Sequence, residues 1–245
     1  MTERVTRHDA DGACTLTLNR PAKLNALDTA AFEALNSHLD AIEKDDHVGC
    51  VVLRGAGKGF CAGADLNQLE SPDNPVPPAY KPRVVERLSL LRQPVIAAVH
   101  GACYTGGLEL ALACDFIIAD LTARFADTHG KWGLVGAWGV TQRLPRRIGL
   151  APAKRMMMTA RVMEAAEAHE IGLVDLLALE GKLDELLKSF VSEILANSWF
   201  SNFAIKRLLA ETGGMSLAQG LAHENFRYPG LAPDYRERIA AFRKR

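Results

Sequence analysis

Between residues 5 and 18 apolar and polar positions alternate, which predicts two strands around the turn Asp9-Ala10-Asp11-Gly12. After Asn19-Arg20-Pro21 the period changes. From Asp28, a residue suited to an N-cap, Phe32, Leu35, Leu39 and Ile42 recur at helical spacing. A short apolar strand over 50–53 runs into a glycine-rich turn at 55–59, and a short helix starts over 65–69. Segment 71–82 carries five prolines and is expected to be irregular. A helix over 84–91, a buried strand over 95–99, a helix from Gly106-Gly107 to Ala113 and a strand over 116–119 follow.

Beyond Val140 the pattern is almost wholly helical. Helices are expected over 152–160, 163–171, 183–197, 203–211, 217–226 and 233–242. The coarse architecture is therefore an α/β core followed by a helical C-terminal region, split at 1–190 and 191–245. Helices with apolar stripes but no closed core of their own often pack on a neighbouring subunit, so a homo-oligomer is expected.

Composition narrows the function classes. The 245 residues are 48% hydrophobic and 24% charged, with 29 basic and 29 acidic side chains and a formal net charge of zero. No global field would draw the chain to nucleic acid or an anionic membrane. Two local basic groups stand out: five Arg or Lys residues over 236–245, and Arg143, Arg146, Arg147, Lys154 and Arg155. Each reads as a solvated face or as a grip on a small anion such as a nucleotide phosphate. The five cysteines form no CxxC pair and no zinc-like spacing with histidine, so no metal is expected and the cytoplasm is the expected compartment. The start lacks a secretory apolar region, and the apolar stretch at 107–119 is broken by Glu109 and Asp115, so no membrane span is expected.

Two glycine turns carry the candidate chemistry. In Gly59-Phe60-Cys61-Ala62-Gly63-Ala64-Asp65-Leu66 a strand ends, glycine permits a sharp turn and a helix begins. The Ala64 amide then lies among the unpaired donors of a helix N-terminus. The second turn, His100 to Gly106, repeats strand, turn and helix, with Gly106 offering another free amide. Glu109 follows three residues later, one turn into an otherwise apolar helix. A carboxylate there caps, pairs structurally, or is held buried with a raised pKa suited to proton transfer. Other glycine patterns fail the tests for dinucleotide or P-loop binding. Two amides aimed at one oxygen make an oxyanion hole, worth ~3–4 kcal/mol per donor.

Taken together with Leu18-Asn-Arg-Pro-Ala-Lys-Leu-Asn-Ala-Leu27, Gly107-Leu-Glu-Leu-Ala111, Cys114-Asp115, Thr141-Gln-Arg-Leu-Pro145 and Ala168-His-Glu-Ile-Gly-Leu-Val174, these turns resemble the crotonase superfamily, the enoyl-CoA hydratase/isomerase group. The resemblance runs over almost the whole chain. It implies a superhelix of ββα units with a helical C-terminal trimerisation region, a trimer or dimer of trimers. It also implies an acyl-coenzyme A thioester as substrate, with coenzyme A a part of the substrate and no separate cofactor. Carried over position by position, the amides of Ala64 and Gly106 bind the thioester oxygen. Leu24 to Ala26 and the turn Ala62, Gly63, Ala64, Asp65, Leu66 and Asn67 line the coenzyme A channel. A basic residue near the C-terminus of this or an adjacent chain meets its phosphates.

Hydratases of this group use two glutamates to hold one water and move its proton. Glu109 matches the first, whereas His129 stands where the second is expected. His129 takes or holds the proton, lines the acyl pocket without titrating, or yields the role to Asp127. Trp132 and Trp138 shape the pocket or pack in the core, and Gly136 stands where many members have proline. Retention of Glu109 favours hydration over double-bond shifting. The alternatives are an isomerase or thioester hydrolase on the same scaffold, or a non-catalytic acyl-CoA binder.

Overall fold

A computed structural model describes residues 3–69 and 76–244. The chain opens with β1 (Val5–Ala10) and β2 (Ala13–Leu18), then α1 (Thr29–Ile42), β3 (Cys50–Gly55) and the short α2 (Leu66–Leu69). Next come α3 (Tyr80–Leu90), β4 (Val95–Val99), β5 (Ala102–Tyr104), α4 (Gly106–Leu112), β6 (Phe116–Asp120) and β7 (Arg124–Ala126). After a 3₁₀ turn at His129–Trp132 follow α5 (Val140–Ile148), α6 (Leu150–Thr159), β8 (Met163–Glu164), α7 (Ala165–Glu170) and β9 (Leu176–Ala178). Four helices end the chain: α8 (Leu183–Ala196), α9 (Trp199–Thr212), α10 (Leu217–Arg227) and α11 (Tyr235–Arg243).

Six strands form one sheet in the order β1-β2-β3-β4-β6-β9, parallel except for the β1–β2 hairpin. A second sheet runs β5-β7-β8, and a single parallel bridge between Cys61 and Cys103 adds the segment after β3 to its edge. The repeating unit is thus visible in space. β4, β5 and α4 make one ββα turn of the superhelix; β3, the Cys61 bridge and α2 make another.

Strand periodicity explains both cores. Val51, Leu53, Val95, Ala97 and Val99 point to one face, where α1, α3 and α4 cover them. Cys50, Val52, Ile96, Ala98 and Ile118 point to the other, against Leu183, Leu187, Phe190 and Ile194 of α8. Asp28 caps α1 by accepting from the Ala31 amide at 2.9 Å, as its position predicts. Residues 190 and 191 lie inside the continuous α8, so the chain passes from sheet cover to C-terminal region within one helix.

Several expected elements are corrected. The helix expected over 163–171 begins with a strand, because Met163 pairs with Phe125, and Glu164 meets Arg124 at 2.7 Å. β9 was not anticipated. The irregular segment expected over 71–82 gives way to α3 at Tyr80, with Pro82 in its first turn, where no intrahelical donor is needed. Residues 71–75 of that segment, and residue 70 before it, lie outside the described residues. Among the described residues, no helix is long and apolar enough to cross a membrane.

Candidate active site

The two glycine turns lie side by side because the Cys61–Cys103 bridge sets their register. The Cys61 amide donates to the Ala102 carbonyl and the Tyr104 amide to the Cys61 carbonyl, both at 2.9 Å. Three residues on from each bridged cysteine stand Ala64 and Gly106. A Cβ built on Gly63 would lie 3.1 Å from the Gly106 nitrogen, so the turns abut. Among the described residues neither the Ala64 nor the Gly106 amide has an acceptor, and both residues line a cavity of about 620 Å³. Such a pair of donors can serve one oxygen atom.

Backbone strain sets the second turn. Thr105 has φ 47° and ψ −113°, an outlier for a β-branched residue. Its amide donates to the Ala126 carbonyl at 2.9 Å and its hydroxyl to the Ala62 carbonyl at 3.2 Å. These bonds tie the turn to β7 on one side and to the first glycine turn on the other.

Glu109 comes from the first turn of α4 and is 1% exposed. Its Oε1 accepts from the Trp138 amide at 2.7 Å and the Val140 amide at 3.1 Å. Burial pushes the carboxyl up from its ordinary range, and the two amides and His129 only partly offset this. Its Oε2 lies 3.8 Å from Nε2 of His129. On the other side of that ring, Nδ1 sits 2.5 Å from Oδ1 of the buried Asp127. Burial alone would lower the imidazole pKa, but the hydrogen bond and charge of Asp127, with Glu109, outweigh it and raise it.

Of the residues expected here, Ala26, Ala62, Ala64, Asp65, Leu66 and Asn67 line the cavity, and so do Gly106, Glu109, His129 and Trp132. Leu24 and Gly63 do not. Leu24 is spent on a left-handed turn whose carbonyl accepts from Ala62, and Gly63 packs behind Thr105. The Asp65 carboxylate is held by Arg20 at 2.5 Å; burial opposes this, yet the pair leaves its pKa below the usual range. Asp127 stands behind the wall rather than in it.

Sequence reasoning missed Lys23 and Lys131, which bring positive charge to the cavity. Lys23 sits within the Leu18–Leu27 motif and Lys131 two residues past His129, so proximity to named motifs was the available signal. Arg143, read earlier as part of a basic group, instead turns inward and donates to the Trp138 carbonyl at 2.8 Å. Trp138 is a packing residue as well as a wall. Its ring meets Phe32 edge-on at 4.9 Å and lies so close to Gly106 that a Cβ there would be 2.3 Å from Cζ3.

A family model described as "Enoyl-CoA hydratase/isomerase" matches residues 8–243. The chain belongs to the enoyl-CoA hydratase/isomerase family. It is 34% identical to the 1,2-epoxyphenylacetyl-CoA isomerase of Escherichia coli, over 99% of this chain and 96% of that protein. It is 37% identical to the short-chain-enoyl-CoA hydratase of Clostridium acetobutylicum, over 75% of this chain and 72% of that one. The crystal structure of an enoyl-CoA hydratase from Bacillus anthracis superposes with a TM-score of 0.92 at 32% identity, covering 98% of this chain and 96% of that one. Membership in the enoyl-CoA hydratase/isomerase family makes the chain an enzyme of the crotonase fold, with an acyl-CoA thioester as the matching class of substrate.

Proposed function

We propose that this family member is a hydratase-like lyase that adds water across the double bond of an enoyl-CoA thioester. The observation that carries the reading is that two unpartnered amides, at Ala64 and Gly106, share a cavity with Glu109 and His129, whose side chains face each other at 3.8 Å. The thioester oxygen accepts from both amides, which stabilises the enolate that forms as oxygen adds at Cβ. Oε2 of Glu109 and Nε2 of His129 are two acceptors converging on one space. A water filling it can point one hydrogen at each.

The proton count closes. One hydrogen of the water passes to the pair as its oxygen bonds to Cβ, and the pair gives one proton to Cα, so its charge is unchanged at the end. Lys23 and Lys131 support the seating of the coenzyme A phosphates. Exposed Leu209, Leu217, Phe226 and Phe242 on the C-terminal helices support assembly into a homo-oligomer.

The likeness to an isomerase favours a second reading, in which a proton is taken from the bound thioester and returned to another carbon of the enolate so formed, with no water added. Mass analysis of products from a panel of enoyl-CoA thioesters separates the readings. Hydration adds the mass of one water, isomerisation adds none, and hydrolysis releases free coenzyme A thiol. Binding without any product would leave only an acyl-CoA binder.

A further inference from the structure

Asp127 takes no part in lining the cavity, yet its surroundings are built around His129. It follows β7 directly and is 3% exposed. Its Oδ1 accepts twice from the same residue, from the His129 backbone amide at 3.2 Å and from Nδ1 at 2.5 Å. The first bond closes a local turn that starts the 3₁₀ segment. The second fixes which ring nitrogen bears hydrogen, because an ionised carboxylate can only accept.

The preceding residue, Ala126, accepts from the amide of Thr105, the strained residue just before Gly106. Two successive residues at the end of β7 therefore anchor both halves of the site. One holds the turn that aims the Gly106 amide, and the next holds the ring that faces Glu109.

We propose that Asp127 is a positioning residue that locks His129 as the Nδ1–H tautomer, so that its bare Nε2 is presented to the cavity opposite Glu109. The catalytic meaning of this lock rests on the hydratase reading; the lock itself does not. A base oriented by a third group loses much of its effect when the wrong nitrogen carries the proton. The charged groups around the ring are few. Asp127 lies behind it, Glu109 in front, and Lys131 on its own 3₁₀ turn. Lys154 and Arg155 of α6, the helix packed on that turn, are exposed.

Nitrogen-15 NMR of histidine-labelled protein tests the lock without reference to turnover. The seven histidine rings are sorted by comparison with His129→Gln. The expected wild-type result is a neutral His129 ring with a protonated Nδ1, titrating above an ordinary histidine. Asp127→Asn keeps an oxygen for the His129 amide but removes the charge. In that variant the tautomer should become mixed and the titration should move down by about one pH unit. An Nε2–H tautomer in the wild type, or an unchanged tautomer and titration in Asp127→Asn, would overturn the proposal. With an active substrate in hand, Asp127→Asn should lower kcat about a hundredfold while KM stays within about twofold. Failure of the wild type to hydrate any enoyl thioester, with the NMR result intact, would sink the hydratase reading and leave the lock standing.

Discussion

Oε2 of Glu109 and Nε2 of His129 face each other across 3.8 Å, each pinned from behind, the one by two backbone amides on Oε1 and the other by Asp127. Neither group is free to swing toward the other. A gap wider than a hydrogen bond between two fixed acceptors suits a small donor placed between them. This separates the site from a structural ion pair, which would close to contact.

The two amides on Oε1 make Glu109→Gln a clean probe. The Gln oxygen can still accept from Trp138 and Val140, so the fold and acyl-CoA affinity should survive while turnover falls by about 10²–10⁴-fold. Glu109→Ala leaves the buried Val140 amide and the part-buried Trp138 amide without their acceptor and should also cost about 1–3 kcal/mol of stability. Steady-state kinetics with calorimetric acyl-CoA binding and denaturant titration check both variants. Full turnover in Glu109→Gln would remove Glu109 from the chemistry.

Stability should fall with rising pH through the window set by this pair. Both folded pKa values lie above their ordinary 4.5 and 6.5, so the folded state binds more protons than the unfolded state between those values and the raised ones. The contribution is complete below the unfolded values and is lost as pH rises through the folded ones, about 1.4 kcal/mol for each unit of elevation. Denaturation curves from pH 4 to 9 should show the wild type losing stability relative to Glu109→Gln as pH increases. The opposite slope would contradict the assigned shifts.

Gly136 is a tight contact rather than a hinge. A Cβ built there would lie 2.2 Å from Cγ1 of Val140 and 3.2 Å from both Oε1 of Glu109 and Cε1 of His129. Gly136→Ala should therefore displace the backbone that holds Glu109 and lower kcat at least about tenfold, with a stability loss of about 1–3 kcal/mol. Gly136→Pro should be tolerated still less. Wild-type kinetics in Gly136→Ala would show that the loop can yield without moving the carboxylate.

Trp138 restricts the space beside Gly106. Trp138→Ala should widen the cavity there, admit bulkier acyl groups and lower kcat/KM for the best natural-sized substrate. Since the ring is only half-buried, the stability cost should be about 2 kcal/mol, below the ~3–5 kcal/mol of a fully buried aromatic. A panel of acyl-CoA thioesters graded by size measures the change. An unchanged preference would mean that the ring does not bound the acyl site.

Much of this site was legible in the chain because its signals are local. Glu109 stood out as the lone charge in an apolar helical turn, and Ala64 and Gly106 followed from glycine at strand-to-helix turns. What escaped depends on contacts far apart in sequence. The strands of the second sheet and β9 are only two or three residues long, too short for a period of two to show. The meeting of Trp138 with Gly106 crosses 32 positions and has no local trace. The spacing of Asp127 and His129 was visible, but not that one carboxylate oxygen would serve both the ring and the amide of the same residue. Leu24 lay in a motif that lines the cavity elsewhere, and its left-handed backbone turns it aside.

In the proposed reaction the Glu109–His129 pair adds water to a thioester held by Ala64 and Gly106. The most direct measurement follows the conjugated-thioester absorbance of a short enoyl-CoA incubated with wild type, Glu109→Gln and His129→Ala proteins. The wild type should bleach the chromophore with formation of a 3-hydroxyacyl-CoA, and both variants should do so at rates lower by about 10²–10⁴-fold. A persistent chromophore across acyl lengths, in protein that demonstrably binds the thioester, would contradict it.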